Sequence, residues 1–295
     1  MTIQIQTTSQ CNGQCIFCPY QTSWFKENPG KMSDLLYTKI IQDLAEHKPL
    51  FSEKFCPYLC NEPFLDPKLL DRVEEAIETL HNPFIEISTN FTTITPKQID
   101  RLVSLYKRIG WNGRVMISHH GITPTQYKTV MGLKWGKALG NLKHLIEVAG
   151  GNLPIWIHTA TASFDGTFHI NRVDAIAKFW AEWFRENDLP FANVTVYPLI
   201  FHNRAGNVKY KGWNPPSTLD YTDCPRVYDL HVLWNGEVAC CCCDYAHEQI
   251  IGNLSKQSVQ QYFDSPKYAK WVKQVKGEEE VPDDFICKRC TRIGA

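Results

Sequence analysis

Twelve cysteines, gathered toward the two ends of this 295-residue chain, restrict its possible folds more than any other feature. They occur at positions 11, 15, 18, 56 and 60, and again at 224, 240 to 243, 287 and 290, with none in the 163 residues between Cys60 and Cys224. The start, MTIQIQTTSQ, lacks the basic and apolar segments of a signal peptide, so we expect a cytoplasmic protein with reduced thiols. The distribution therefore predicts two metal sites flanking a cysteine-free scaffold rather than a disulfide framework.

The charge balance argues against several classes of partner. Lys and Arg together number 31, as do Asp and Glu, so no net charge attracts nucleic acid or an anionic membrane. No apolar run approaches the ~18 residues of a transmembrane helix. The 43% hydrophobic and 21% charged residues are typical of a globular protein. We expect no nucleic-acid partner and no membrane partner.

The middle of the chain alternates between short strands and amphipathic helices. Strands are predicted at residues 3–6, 55–59, 84–88, 115–118, 154–161 and 194–199. Helices are predicted at 33–47, from Pro67, from Pro96, at 138–148 and at 173–184. Six strand-then-helix steps predict a parallel sheet with right-handed crossovers. They are too few for an eightfold barrel, so the α/β fold class that we expect is a partial (β/α)6 barrel.

The alternation stops after the sixth strand. Residues 202–223 are rich in Gly, Pro, Asn and Asp and are typical of a loop or linker. Asn235-Gly236 favours a type I′ hairpin between strands at 227–234 and 237–241, followed by a helix around 259–275. We therefore predict a barrel domain over residues 1–205 and a small β-hairpin-plus-helix domain over 206–295.

The first cysteine group is compact. Cys11-Asn-Gly-Gln-Cys15-Ile-Phe-Cys18 places three thiols within eight residues, directly after the first strand. Zinc requires a fourth ligand, and none lies nearby. Three cysteines suit a [4Fe–4S] cluster with one iron left open for a substrate or cofactor. A zinc knuckle with a distant fourth ligand is the alternative.

This spacing, with Phe17 before the last cysteine, resembles the radical S-adenosylmethionine (SAM) enzymes. The resemblance implies a [4Fe–4S] cluster held by Cys11, Cys15 and Cys18, with SAM chelated at its open iron. It further implies that reductive cleavage of SAM yields a 5′-deoxyadenosyl radical, which abstracts hydrogen from a substrate C–H bond. The electron would come from a donor of the flavodoxin or ferredoxin type.

Other motifs of that family have counterparts at the ends of the predicted strands. Cys60-Asn61-Glu62-Pro63 resembles the family's Gly-Gly-Glu-Pro motif, with Cys60 and Asn61 replacing the two glycines. The segment from Ser88 to Asn90 resembles the element that holds the SAM carboxylate and ribose. The resemblance implies SAM contacts from these residues and neighbours: Phe17, Cys60, Asn61, Glu62, Ser88, Asn90 and Ser118. For His119 and His120 two interpretations stay open. Either one is solvated and the other is packed, or His120 faces the SAM site at the strand ends.

The second cysteine group suits a closed four-ligand site, either zinc or [4Fe–4S]. One ligand would come from Cys224, one from the run 240–243, and two from Cys287 and Cys290. Adjacent strand residues point to opposite faces, so only alternate members of the run are expected to contribute. The block resembles the twitch domain, the shorter relative of the SPASM domain. The Gly236-x-x-x-x-Cys241 spacing then implies one auxiliary [4Fe–4S] cluster on Cys224, Cys241, Cys287 and Cys290.

Five cysteines have no role in this scheme. For Cys240, Cys242 and Cys243 we favour buried packing, and donation of a hydrogen atom to a substrate radical is the alternative. Cys56 is expected in the core, and Cys60 at the SAM mouth.

The resemblance extends to twitch proteins of the 2-deoxy-scyllo-inosamine dehydrogenase type. It implies oxidation of an alcohol-type small molecule, such as an aminocyclitol or sugar, with the auxiliary cluster accepting the second electron. Peptide modification through thioether or carbon–carbon crosslinks is an alternative, less favoured because Cys11 lies so near the start of the sequence. Epimerisation of a sugar or peptide with a cysteine hydrogen donor is another, and an electron carrier or zinc-binding adaptor is a non-enzymatic one. The catalytic base is unassigned. Possible polar contacts to the substrate lie at the predicted strand ends or just beyond them: His120, His158, Tyr197, Asn203 and Arg204.

Overall fold

The structure is a computed structural model that describes residues 1–47, 54–160, 173–198, 203–209, 222 and 224–291. Most of the predicted linker 202–223 lies outside these residues. So do the final positions of the predicted strands 154–161 and 194–199.

Six parallel strands pair in chain order, which confirms the partial barrel. Their bounds are β1 Thr2–Ile5, β2 Lys54–Cys56, β3 Ile85–Thr89, β4 Gly113–Ser118, β5 Ile155–Thr159 and β6 Val194–Pro198. Successive side chains of each strand point to opposite faces of the sheet. On β3, Ile85 and Ile87 belong to the core shared with the helices, while Glu86 and Ser88 point to the barrel interior.

The helices of this part of the chain are α1 Trp24–Glu27, α2 Asp34–Glu46, α3 Leu69–Thr79, α4 Pro96–Arg108, α5 Pro124–Met131, α6 Trp135–Ala149 and α7 Val173–Glu186. Helices α2, α3, α4, α6 and α7 pack with the apolar side of the strands in one core, whereas α1 and α5 pack near the loop of the first three cysteines. Ser33 caps α2 by accepting a hydrogen bond from the Leu36 N–H at 3.2 Å. Thr95 and Gln98 form a capping box at the start of α4. Local signals therefore place both helix starts where the sequence predicts them.

Four of these helices differ from the prediction: α1 and α5 were not predicted, α3 starts later than expected, and α6 starts at Trp135 rather than at 138. Helix α3 starts two residues after Pro67, because Asp66 accepts a hydrogen bond from the Lys68 N–H at 3.0 Å and keeps this segment in a turn. Helix α5 was not predicted. Its start is a Thr-Pro pair, Thr123 as the cap and Pro124 as the first residue, and this local signal was available in the sequence.

The C-terminal strands continue the barrel sheet. They are β7 Leu230–Val232, β8 Glu237–Ala239 and β9 Ile250–Asn253. Strand β7 pairs in parallel with β1, so the nine strands of the described residues form one sheet in the order β6-β5-β4-β3-β2-β1-β7-β8-β9. The division between residues 205 and 206 stays a prediction.

The hairpin between β7 and β8 does not have the predicted type I′ turn. That turn needs positive φ at both central residues, but of Asn235 and Gly236 only Gly236 has it, at 86°. Leu233 donates its N–H to Glu237 O at 2.8 Å, and Gly236 donates to Leu233 O at 2.9 Å, which gives a three-residue loop. The glycine is still required, because it alone tolerates the left-handed position at low cost.

The predicted helix at 259–275 is two helices, α8 Val259–Phe263 and α9 Pro266–Val275. Ser265 caps α9 by accepting from the Tyr268 N–H at 3.1 Å, and Pro266 follows as its first residue. No helix among the described residues is long and apolar enough to cross a membrane.

Candidate metal centres and active site

The loop that carries the first three cysteines follows β1 and is held by its backbone against α5. Gln14 donates its N–H to Met131 O at 2.8 Å, and Ile16 donates to Val130 O at 3.0 Å. The Cys11 N–H donates to the Tyr20 hydroxyl at 2.9 Å. The loop is therefore fixed by the last turn of the unpredicted helix as well as by its own residues.

Two sulfurs of this loop, those of Cys11 and Cys15, lie beside Gly13. A side chain at Gly13 would place its Cβ 3.5 Å from Cys15 Sγ and 3.6 Å from Cys11 Sγ. Burial and the nearby Glu62 raise the pKa of Cys11 to about 12. Burial and the neighbouring Cys18 and Cys11 raise the pKa of Cys15 well above its usual value. Thiolates crowded in this way require a positively charged group to stabilise them.

Glu62 fastens the segment after β2 to the end of β3. Its carboxylate accepts hydrogen bonds from Thr89 Oγ1 at 2.6 Å, Asn90 N at 2.8 Å and Phe64 N at 3.2 Å. Burial raises the pKa of Glu62 to about 7, even though these three hydrogen bonds lower it. The carboxylate is thus engaged with the protein, and the neighbouring Asn61 has a buried Nδ2 with no partner among the described residues.

A second set of polar contacts ties the cysteine loop to β3. Asn90 donates its Nδ2 to Asn12 Oδ1 at 2.8 Å, and Asn12 donates to Thr92 Oγ1 at 3.0 Å. Asn12 and Thr92 were not predicted as site residues. Their signal was only their position beside Cys11 and Asn90. Ser88 lies on the same strand, and Ser118, at the end of β4, pairs in register with His158 of β5.

His119 and His120 are both buried, so the expectation that one is solvated was wrong. The His119 ring lies within 4.6 to 6.5 Å of four aromatic rings, those of Tyr127, Trp135, Trp180 and Phe179. Burial lowers the pKa of His119 to about 3. The His120 ring meets Phe17 edge-on at 4.7 Å, so His120 is the member of the pair that reaches the cysteine loop.

Three of the predicted ligands of the second site lie together. Burial and the thiols of Cys224 and Cys290 raise the pKa of Cys287 to about 12. Asn203 holds the end of this segment, since its N–H donates to Thr291 Oγ1 at 2.9 Å and its Oδ1 accepts from Thr291 N at 2.9 Å. Its Nδ2 also donates to Arg289 O at 2.6 Å.

The run 240–243 is not part of a strand, which overturns the argument from alternate faces. Strand β8 ends at Ala239. The chain then turns, because the Asp244 carboxylate accepts from Glu248 N at 2.9 Å and Gln249 N at 3.0 Å. In this turn the sulfurs of Cys241, Cys242 and Cys243 lie within 4.8 Å of one another. Cys240 points elsewhere, with its sulfur 3.8 Å from the Asp244 carboxylate.

The comparisons with known proteins decide the family. The model of the Radical SAM superfamily matches residues 5–158, which is over half of the chain. The chain belongs to the radical SAM superfamily. The SPASM model, described as an iron–sulfur cluster-binding domain, matches residues 224–291. None of the curated proteins matches the sequence.

Solved radical SAM structures share this fold. BtrN in complex with AdoMet and 2-DOIA has a TM-score of 0.65 and 18% identity, covering 99% of this chain and 93% of its own. AnSMEcpe with AdoMet and the Cp18Cys peptide has a TM-score of 0.63 and 14% identity, covering 98% and 87%. Streptococcus suis SuiB bound to S-adenosylmethionine has 0.60 and 12%, covering 92% and 67%. At these identities the likeness concerns the fold alone.

The cofactors of this radical SAM enzyme are therefore SAM and iron–sulfur clusters, and the residues present fit them. The thiols of Cys11, Cys15 and Cys18 would provide the donors of the first cluster, and the irons would provide the positive charge that the buried thiolates require. The thiols of Cys224, Cys287 and Cys290 would provide three donors of a second.

The residues that follow β8 contact both the cysteine loop and the segment after β2. The Cys60 thiol lies 3.6 Å from the carbonyl oxygen of Cys242. The Cys18 sulfur lies 3.7 Å from the hydroxyl of Tyr245. Cys60 and Tyr245 belong to one buried cluster, with Phe25 and Leu233. We call residues 224–291, which the SPASM model matches, the auxiliary region. In this radical SAM enzyme the auxiliary region contacts the cysteine loop directly.

A charged group closes the opposite end of the barrel interior. Glu86 accepts from Tyr58 Oη at 2.7 Å and Arg114 Nε at 2.7 Å, and its carboxylate lies 3.2 Å from Lys54 Nζ. Arg114 also stacks on Trp156, with the guanidinium carbon 3.5 Å from the ring centroid. Sequence reasoning missed this group. Its signal was the presence of charged residues between apolar ones in strands.

Proposed function

We propose that this radical SAM enzyme is an oxidoreductase that oxidises an alcohol group of a small molecule, such as an aminocyclitol or a sugar. The chemistry that SAM and two clusters supply when bound is abstraction of a hydrogen atom and acceptance of one electron. The observation that carries the proposal is the contact of the auxiliary region with the cysteine loop, at Cys18–Tyr245, and with the segment after β2, at Cys60–Cys242. An electron acceptor placed there lies close to the site of hydrogen abstraction.

Within this proposal the predicted cluster ligands and SAM contacts have the following roles. Cys11, Cys15 and Cys18 hold the first cluster. Cys224, Cys241, Cys287 and Cys290 hold the second. SAM lies against the strand ends, in contact with a set already described: Phe17, Cys60, Asn61, Glu62, Ser88, Asn90 and Ser118. The proposed division is a barrel over residues 1–205 and an auxiliary domain over 206–295.

The barrel interior supports a polar substrate. The carboxamide of Gln6 is fully buried, and neither of its polar atoms has a partner among the described residues. Buried amide atoms without partners are costly unless a ligand or water satisfies them. The charges of Glu86, Lys54 and Arg114 are paired with each other. The interior therefore offers hydrogen bonds without an excess of negative charge.

His158 is the proton acceptor that we propose for the alcohol. It is the last but one residue of β5 and lies beside Tyr197, whose ring centroid is 5.8 Å away. Burial lowers the pKa of His158, and the neighbouring Arg114 contributes to the shift. The imidazole is therefore neutral near pH 7 and able to accept a proton.

The test begins with anaerobic reconstitution and assays for iron, sulfide and 5′-deoxyadenosine. Aminocyclitols, amino sugars and short cysteine-containing peptides are then compared as substrates by mass spectrometry. We expect a product lighter by about two mass units, and transfer of deuterium from the oxidised carbon of a labelled substrate to 5′-deoxyadenosine. His158→Gln should still form 5′-deoxyadenosine but give at least about tenfold less ketone. Zinc in place of iron, or no 5′-deoxyadenosine, contradicts the proposal.

Peptide modification is the second candidate, supported by the likeness in fold to anSMEcpe bound to a peptide. A crosslinked or oxidised peptide, with no turnover of the cyclitols, would favour it. Epimerisation is supported by the convergent thiols of the run 240–243. In that case the product keeps the mass of the substrate, and replacing the donating cysteine by alanine stops turnover after hydrogen abstraction.

A further inference from the structure

The feature that carries a further inference is the hydroxyl of Tyr245. It lies 3.7 Å from Cys18 Sγ, which is within hydrogen-bonding range for a sulfur atom. The two residues are 227 positions apart in the sequence. Once Cys18 binds iron as a thiolate it has no proton to donate, so the hydroxyl is the donor in this pair.

The structure fixes Tyr245 firmly on both sides. Its N–H donates to Cys243 O at 2.9 Å, and its carbonyl oxygen accepts from Trp24 N at 3.1 Å. The Phe25 ring meets the Tyr245 ring at close to a right angle, with 6.1 Å between centroids. Tyr245 is only 7% exposed, so water competes little for its hydroxyl. The ring is held in place independently of the sulfur contact.

A hydrogen bond to a ligand sulfur alters the energy of a cluster. Reduction adds one negative charge, which spreads onto the sulfurs. A donor at Cys18 stabilises the reduced state more than the oxidised state, because hydrogen bonds to charged acceptors are the stronger ones. The bond therefore makes the first cluster easier to reduce.

We propose that Tyr245, supplied by the auxiliary region, is a positioning residue that sets the reduction potential of the N-terminal cluster through its hydrogen bond to Cys18. The inference rests on the assignment of Cys18 as an iron ligand within the proposed function. It couples the auxiliary region to the first cluster by a route separate from electron transfer between the clusters.

The experiment is a redox titration of the reconstituted full chain, followed by electron paramagnetic resonance without substrate. The first cluster is identified as the one whose signal changes when SAM is added. We expect Tyr245→Phe to keep its iron but to lower the ratio of reduced to oxidised first cluster, at a fixed potential, by about three- to tenfold. The second cluster should be unchanged.

Tyr106→Phe is the matched control. Tyr106 is also buried, and its hydroxyl donates to Arg114 O at 2.8 Å, within the barrel. This variant should titrate like the wild type. If Tyr245→Phe fails to assemble, 3-fluorotyrosine at position 245 decides instead, because the stronger donor should raise the reduced fraction.

Two outcomes overturn the inference. One is a Tyr245→Phe potential equal to that of the wild type, and the other is an equal shift of both clusters. For the fluorinated residue, an unchanged or lower reduced fraction overturns it. Cys18→Ala separates this failure from a failure of the proposed function: a chain that keeps both clusters without Cys18 contradicts the ligand assignment itself.

Discussion

The two cysteine groups differ in how the chain brings their sulfurs together. The first takes three thiols from eight consecutive residues and needs only a loop, held by Tyr20 and the end of α5. The second, as we propose it, would combine three separate segments around Cys224, the run 240–243 and Cys287. A local site depends on few contacts, whereas a dispersed site depends on the packing that brings its segments together. The two sites should therefore respond differently to substitution.

Removing a ligand of the first group should have the largest effect. Cys15→Ala should lower the iron content from about eight to about four atoms and reduce 5′-deoxyadenosine formation to background. Iron assays and chromatography of the reaction measure both quantities. Full iron, or retained SAM cleavage, would show that the local triplet is not the first cluster site.

Removing a ligand of the second group should separate the two functions. Cys287→Ala should also leave about four irons, but 5′-deoxyadenosine should still form while the oxidised product is lost. The same assays apply, with Cys56→Ala as the control, because Cys56 is buried near Glu86 and away from both groups. Loss of all iron from Cys287→Ala would mean that the first group also depends on the dispersed one.

The run 240–243 sharpens the comparison, since the structure offers two candidate ligands there. The Cys241 sulfur lies within 4.8 Å of the sulfurs of Cys242 and Cys243. The Cys240 sulfur instead faces the Asp244 carboxylate and interacts with the Cys287 thiol. We expect Cys241→Ala to lose about four irons and Cys240→Ala to keep nearly all of them. If Cys240→Ala loses the iron and Cys241→Ala keeps it, Cys240 rather than Cys241 is the ligand.

A substitution away from both groups should change stability without changing iron content. Burial opposes the ionisation of Glu86, but Lys54, Tyr58 and Arg114 outweigh it and hold the pKa of the carboxyl below its usual value. Glu86→Gln should therefore lower the free energy of unfolding by about 3 kcal/mol at pH 7. A lowered pKa stabilises the fold above the unfolded-state value and loses this effect as pH falls, so the difference should shrink below about pH 4. Urea unfolding of the cluster-free chains at both pH values measures it. An equal penalty at both would exclude the charge as the cause.

The cysteine loop of the candidate site was predictable from the sequence, whereas most of its contacts to other segments were not. The Cys11–Cys18 loop could be predicted because its ligands share a short segment whose spacing limits the metal. Glu62 was predicted from its motif, but its use as a clamp on Thr89 and Asn90 required the structure, because its partners lie 27 and 28 residues away. Asn12, Thr92 and the Glu86 group were missed for the same reason.

The sequence by itself determined the alternation of strands and helices, the starts of α2, α4, α7 and α8, and the first cysteine loop. These features depend on residue periodicity and on capping between near neighbours. Only the tertiary structure decided that β7 joins β1, that residues 240–243 form a turn rather than a strand, and that Tyr245 reaches Cys18. Each depends on which distant segments pack together, because strand pairing and the burial of polar groups are settled across the whole fold and not within a local window of residues.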